Sequence, residues 1–492
     1  MSGVLGVYSL DKRNVARDLF YGLAGLQHRG EEGCGVSLNL TRGFLTPPPD
    51  YQLVYYYYRD LREDLKRLGS NMAIGHTLYE SSADPQPVKD VGETHSFTMA
   101  VDGFLLGFHD KNDFIMRTIF SKRLDDATED GLKGPDAFFY AGERLMEKFS
   151  GRGSYCVVSL VENDDGQFLV VYRDPKGLKP LALGRMGDTH LIASESVGIE
   201  AIPEAEFVRD VEPGEMIVIS DKYGFNNRVL REEPHAHCSF EWVYYAHIAS
   251  VIEGTGVYEA RKRLGAALAR RYDLDDLDKV FASPDSGRGV SLGCQQEIVR
   301  IRMQNLLDRA LRMDDTEAIK GLLQDELMGT FVPFEEGITK NPGAKRTFQV
   351  ENERHRKLAA RIKFSMVKDE VGGQVIGVGD DSIVKGTVFG EGTVLKAKQA
   401  GAEGVIGIIS CPPLKYPCVK APGKKEFIAQ GLEGDVKDIG RQVAEKLGMK
   451  QVCYNSLDDL QEAIGLSDMC TACFDGNYPV NPELLEREMR KD

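Results

Sequence analysis

The sequence predicts two unlike halves: a layered α+β domain over residues 1–230 and an α/β domain, built on a doubly wound parallel sheet, over 231–492. Two patterns and one number support this. The first half reads as short, apolar, β-branched strands separated by Gly, Asp and Asn turns, with few helices between them. The second alternates strand, loop and helix, as parallel strands with ligands at their carboxyl ends do. At 492 residues the chain exceeds what one hydrophobic core ordinarily serves.

In the first half, strands are expected over 97–101, 155–161, 168–172 and 215–219. Two helices are expected, over 15–26 and 136–149; the second places Phe138, Phe139, Ala141, Leu145 and Met146 on one face. The polar stretch 220–237, ending in Pro234-His235-Ala236-His237, marks the boundary. Beyond it, an apolar run at 280–282 leads into Pro284-Asp285-Ser286-Gly287. A second run, 375–378, leads into Asp380-Asp381-Ser382 and a helix near 392–399, and 405–409 is a further short strand. Residues 295–328 stand apart. Ile298, Ile301, Leu306, Leu307 and Leu311, then Ile319, Leu322, Leu323 and Leu327, recur at helical spacing on either side of Met313-Asp314-Asp315. That predicts a helical hairpin, read as packing surface.

Composition narrows the function. A net charge of −15 excludes a broad electrostatic grip on nucleic acid or an anionic membrane. No apolar run approaches the roughly 20 residues that span a bilayer, and residues 1–10 lack the features of a signal peptide. A cytoplasmic protein with reduced thiols is expected. Nine cysteines, an odd number in a large chain, fit a subset of metal ligands better than a disulfide framework.

The most informative stretch is 375–387, V-I-G-V-G-D-D-S-I-V-K-G-T. An apolar strand delivers two adjacent carboxylates, Asp380 and Asp381, to its end. A short loop of Ser382, Ile383, Val384, Lys385, Gly386 and Thr387 then turns into a helix. Backbone N–H groups at such a turn suit a phosphate, and Gly386 permits close approach. The carboxylates would repel that ligand unless they meet sugar hydroxyls or a divalent cation, so the pattern specifies a phosphorylated sugar. No G-x-x-x-x-G-K-[ST] motif argues for a nucleoside triphosphate instead.

This loop resembles the phosphoribosylpyrophosphate (PRPP) signature of the glutamine PRPP amidotransferases. The resemblance extends through 173–180, 193–196, 206–215, 240–265, 284–287, 340–348 and 412–418, leaving 295–328 as an insertion. It implies an αββα sandwich of the N-terminal-nucleophile type, followed by a type I phosphoribosyltransferase domain. It also implies an enzyme of the purine-biosynthesis type, making phosphoribosylamine from PRPP·Mg²⁺ and ammonia or another amine, and a homo-oligomer, a tetramer by analogy. On this resemblance Asp380 and Asp381 face ribose and Mg²⁺, and residues 382–387 cradle the 5′-phosphate. Asp285 and Ser286 belong to the pyrophosphate loop, with Ser286 near the metal, and Lys340, Arg346 and Lys363 lie in the region that closes over pyrophosphate. Two departures are Val388, where the family has a second Thr, and Gly390-Glu391, where it tends to carry basic residues.

Cys470-Thr471-Ala472-Cys473 is a C-x-x-C pair able to bind metal or run redox chemistry. The resemblance adds Cys238 and Cys418 and implies a [4Fe–4S] cluster; Zn²⁺ accepts the same four thiolates. Cys34, Cys156, Cys294, Cys411 and Cys453 read as small apolar residues. In the glutaminase half, the family's N-terminal nucleophilic Cys corresponds to Ser2. Leu78 stands for the Arg that pairs with the glutamine carboxylate. Asp102, before Gly103, stands for the oxyanion-donating Asn, and no acidic holder of the substrate amine is evident between 111 and 120. An ionised Asp only accepts hydrogen bonds. The expectation is therefore a glutaminase fold without glutamine hydrolysis, served by free ammonia, an ammonia-delivering partner or an active paralogue. The other reading is a non-catalytic, PRPP-binding regulatory or scaffold subunit.

Overall fold

The computed structural model describes residues 2–67, 69–79, 85–108, 112–341, 353–418 and 426–490. Its first half is a sandwich of two antiparallel sheets. One runs Glu206–Asp210, Ala182–Met186, Thr189–Ala193, Gly3–Ser9, Met72–Leu78, Gly33–Asn39 and Phe44–Leu45 in spatial order. The other runs Gly224–Val229, Glu215–Ser220, Gly166–Arg173, Gly153–Asn163, Ser96–Leu105 and Val88–Val91.

Alternation along the strands explains the layering. Val4 and Tyr8 meet Val158, Leu169 and Ile217 between the sheets. Leu5 and Val7 point the other way, under helices Ala16–Gly25 and Val54–Arg67. In the second sheet Tyr155, Val157 and Val161 pack beneath helices Asn112–Glu129 and Gly134–Phe149. Strands buried on both faces read as continuous apolar runs, and the result is αββα.

Helices Val54–Arg67 and Asn112–Glu129 add to the two expected from sequence. Each was hidden for a physical reason. The run Tyr55-Tyr56-Tyr57-Tyr58 has strand-like propensity. In Asn112–Glu129 the buried Met116, Phe120, Leu124 and Ala127 are interleaved with apolar Phe114, Ile115 and Ile119, which blur the helical period.

The second half centres on a four-stranded parallel sheet, ordered Lys279–Ala282, Val375–Asp380, Gly404–Ile409 and Gln451–Tyr454. Ile376, Val378 and Val405 face one core; Val375, Ile406 and Ile408 face the other, against helices Val257–Arg271 and Arg288–Ala310. The hairpin anticipated at 295–328 forms from Arg288–Ala310 and Thr316–Glu326, with Asp315 capping the second helix through the Glu317 N–H. The first helix begins earlier than the apolar period suggested, directly after Gly287.

Candidate functional site

Parallel pairing aligns Ala282 with Gly379, so the loops leaving these two strands emerge side by side. Ser283 donates its N–H to Gly379 O at 2.8 Å. Gly287 is required here, because a Cβ on it would sit 2.0 Å from that same carbonyl oxygen. The Ser286 hydroxyl thereby reaches Asp380, donating to Oδ1 at 3.2 Å. Asp381 accepts from Ser382 Oγ at 2.7 Å. Burial, reinforced by the neighbouring charge of Asp381, pushes the Asp380 carboxyl well above the ordinary carboxylate range, while Lys363 opposes the shift. Two adjacent carboxylates at a strand end, one reluctant to ionise, form a place that a divalent cation would relieve.

The loop beyond them is anchored by buried Ile383 and by Ile428 N–H donating to Val384 O at 2.8 Å, whereas Val384 and Lys385 stay exposed. Gly386 turns it with φ +77° and packs so tightly that a Cβ would meet Ile428 and Leu447 at 2.8 Å. Thr387 then precedes a π-helical turn, Val388–Val394, and helix Leu395–Gln399. Glu391, the acidic departure, is taken up by Arg361 at 2.7 Å. Lys340 lies 3.5 Å from Asp285, which Arg288 also approaches at 3.6 Å. Arg346 lies outside the described residues.

In the sandwich, Ser2 donates its backbone N–H to Asp102 Oδ1 at 2.9 Å. Asp102 is buried, and Lys179 Nζ binds both its carboxylate oxygens at 2.6 Å. Arg29 stands 3.6 Å from Asp102 and joins the halves of the chain, donating to Glu195 at 2.6 Å and to Glu241 at 3.0 and 3.2 Å. Burial works against ionisation of Glu195, but Arg29 and His28 outweigh it and hold that carboxyl far below the usual range. Leu78 is buried on strand Met72–Leu78. Gly103 follows Asp102 within strand Ser96–Leu105, opposite Tyr155.

The four thiols meet where strand His237–Cys238 pairs with Met469–Cys470, setting Cys238 opposite Cys470. Ser239 Oγ donates to Cys470 O at 2.9 Å, and the N–H groups of Lys415 and Tyr416 donate to Cys473 O, bringing in the Cys418 loop. Burial pushes the Cys470 thiol up to about 12 and raises Cys238 and Cys473 well above the ordinary thiol range, with Cys418 adding to all three.

This architecture has close counterparts. Solved structures of glutamine PRPP amidotransferase from B. subtilis, complexed with ADP and GMP, and of the allosteric regulatory enzyme of purine biosynthesis match with TM-scores of 0.75 and 0.76 at 26% identity. They cover 97% of this chain and 97% and 96% of theirs. No family model matches. The amidophosphoribosyltransferase of Methanocaldococcus jannaschii is 31% identical over 530 residues, 99% of this chain and 100% of that protein. That of Methanothermobacter thermautotrophicus is 30% identical, over 97% of this chain and 94% of the relative. This chain belongs to the amidophosphoribosyltransferase family.

Membership gives it the family's fold, an N-terminal-nucleophile glutaminase domain joined to a type I phosphoribosyltransferase domain, and its enzyme class, pentosyl transfer in purine biosynthesis. Among the described residues no helix is long and apolar enough to cross a membrane. Within this chain, the geometry brings Ser286 to Asp380, Lys340 to Asp285 and Ser2 to Asp102. It also shows residues that sequence reasoning passed over. Lys179 is the counter-ion of Asp102, and Arg261, buried and lowered to about 10 by that burial against the pull of Asp381, donates to the carbonyls of Trp242 and Ala246. The signal for Lys179 was available, since a buried Asp demands a cation. Cys34, Cys156, Cys294, Cys411 and Cys453 are all fully buried in apolar cores.

Proposed function

We propose that this chain transfers the phosphoribosyl group of PRPP·Mg²⁺ to ammonia and does not hydrolyse glutamine. The observation supporting transfer is the Ser286–Asp380 contact at the ends of adjacent parallel strands, where Asp285 and Ser286 would meet pyrophosphate and Asp380 and Asp381 the ribose. Residues 382–387 would hold the 5′-phosphate on backbone N–H groups, with Gly386 supplying the turn. Asp380, Asp381 and Ser286 would hold Mg²⁺, which when bound neutralises the carboxylates and the pyrophosphate leaving group. Asp285 orients Lys340 over the loop, and Lys340, Lys363 and Arg346 would cover pyrophosphate, keeping water from the anomeric carbon.

Three features support silence in the glutaminase half. Ser2 is a far poorer nucleophile than a thiol. Leu78 offers no charge to a glutamine carboxylate. Asp102 turns a carboxylate, already bound by Lys179 through both oxygens, to where an oxyanion donor belongs.

The four thiols would carry a [4Fe–4S] cluster. Burial raises the thiols of Cys238, Cys470 and Cys473, which a metal's positive charge would offset, and four thiolates are the usual set for such a cluster. A homo-oligomer and delivery of ammonia by a partner or paralogue complete the reading.

Release of pyrophosphate from PRPP with ammonium salts at alkaline pH tests it, because only unprotonated ammonia attacks. Asp380→Asn should abolish release and Mg²⁺-dependent PRPP binding. Binding without release across a range of amines would favour a regulatory subunit. The Arg361–Glu391 pair, placing acid at the helix start beyond the phosphate loop, is the observation on that side.

A further inference from the structure

The boundary motif Pro234-His235-Ala236-His237 has no part in either reaction. In extended chain, residues two apart face the same way, so His235 and His237 present their imidazoles together, with ring centroids 5.5 Å apart. Asp468, arriving from the C-terminal segment, joins them: His235 Nδ1 lies 3.4 Å from its Oδ2, and its carbonyl accepts the His237 N–H at 3.1 Å. One ligand atom from each of the three side chains falls within 4.8 Å of the others, an arrangement no other such group repeats among the described residues.

Proximity alone would be weak support, but the buried histidine is also set for ligation. Nδ1 of His237 lies 2.9 Å from Gly177 O, and a carbonyl only accepts, so Nδ1 carries the proton. Its lone pair is then on Nε2. Glu253 Oε1 stands a further 3.4 Å from the same Nδ1. A backbone carbonyl and a carboxylate behind Nδ1 are the usual outer support of a metal-bound imidazole.

The geometry points to a second metal site in this protein, a structural divalent transition-metal site held by His235, His237 and Asp468. Two imidazole nitrogens and one carboxylate oxygen suit Zn²⁺, with water filling the fourth position. Bonds of about 2.1 Å allow ligand atoms at most roughly 4.2 Å apart, so modest rotation of the exposed His235 and Asp468 closes the site. The ion would clamp the segment joining the two halves to the segment that leads into Cys470. It is separate from the four thiols, which lie beyond it on both strands.

Titration of the full-length protein, stripped of loosely bound metal, with Co²⁺ and then Zn²⁺ tests this. One equivalent of Co²⁺ should give visible d–d bands without thiolate charge transfer, and one equivalent of Zn²⁺ should displace it. His235→Ala and Asp468→Asn, both at exposed positions, should each weaken Zn²⁺ binding at least tenfold while leaving iron and sulfide content unchanged. Thiolate charge-transfer bands, Zn²⁺ binding unchanged in both variants, or no stoichiometric binding would each overturn the assignment. Iron content reads the thiol site independently.

Discussion

Asp102 shows how one side chain changes the meaning of a site. Its carboxylate is buried and bound at 2.6 Å by Lys179 through both oxygens, so the pair survives as a unit. Removing one partner strands the other. Lys179→Met should cost about 3–5 kcal/mol, visible as a large fall in melting temperature, and adding Asp102→Leu should return most of it. Restoring the nucleophile alone, Ser2→Cys, should yield no glutamate from glutamine, because Leu78 and the Asp102–Lys179 pair remain. Measurable turnover in that single variant would refute the silent-glutaminase reading. Asp210 supplies a pH test. Burial, then the charge of Glu253, raises its carboxyl to about 7, although the Glu253 N–H donates to it at 2.9 Å. The folded state thus holds a proton that the unfolded chain has lost above about pH 4, and stability declines as pH rises from there through 7. Asp210→Asn should raise the melting temperature at pH 8.5 and change it little at pH 4. An equal gain at both would show that ionisation of Asp210 is not the cause.

At the scale of elements, parallel pairing gives the transferase site its form. A register of Ala282 against Gly379 and of Asp380 against Ile409 makes three loops leave the sheet at one edge. The loop at 382–387 keeps its shape through Gly386, whose left-handed backbone costs a substituted residue about 1–2 kcal/mol, before its Cβ meets Ile428 and Leu447. Gly386→Ala should weaken PRPP binding roughly tenfold or more by calorimetry, with little change in far-ultraviolet circular dichroism. Unchanged affinity would mean that the loop does not grip the phosphate.

At the scale of the molecule, charges and thiols hold the two halves together. Arg29 ties the sandwich to Glu241, Arg173 reaches Glu253 at 2.7 Å, and Cys238 is brought beside Cys470. A cluster on Cys238, Cys418, Cys470 and Cys473 would fasten the C-terminal segment to the start of the transferase half. Anaerobically purified protein should carry about four iron and four sulfide per chain. Cys470→Ser should lower both together with solubility, since metal binding supports folding. Stoichiometric zinc in place of iron would refute the cluster.

By itself the sequence determined the alternation of elements, the doubly buried strands, the acidic strand end at 380–381 with its glycine turn, and the substitutions at Ser2, Leu78 and Asp102. These are local: period, propensity and motif act over a few residues. Even so, helices Val54–Arg67 and Asn112–Glu129 escaped, where tyrosines and extra apolar residues obscured the period. Tertiary structure alone decided which distant charges meet. Lys179 answers Asp102 across 77 residues, Glu241 answers Arg29 across 212, and Asp468 completes a pair of histidines more than two hundred residues earlier. No short-range pattern encodes such partners. They follow from sheet register and domain packing, and the energy of a buried charge depends on the partner that packing delivers.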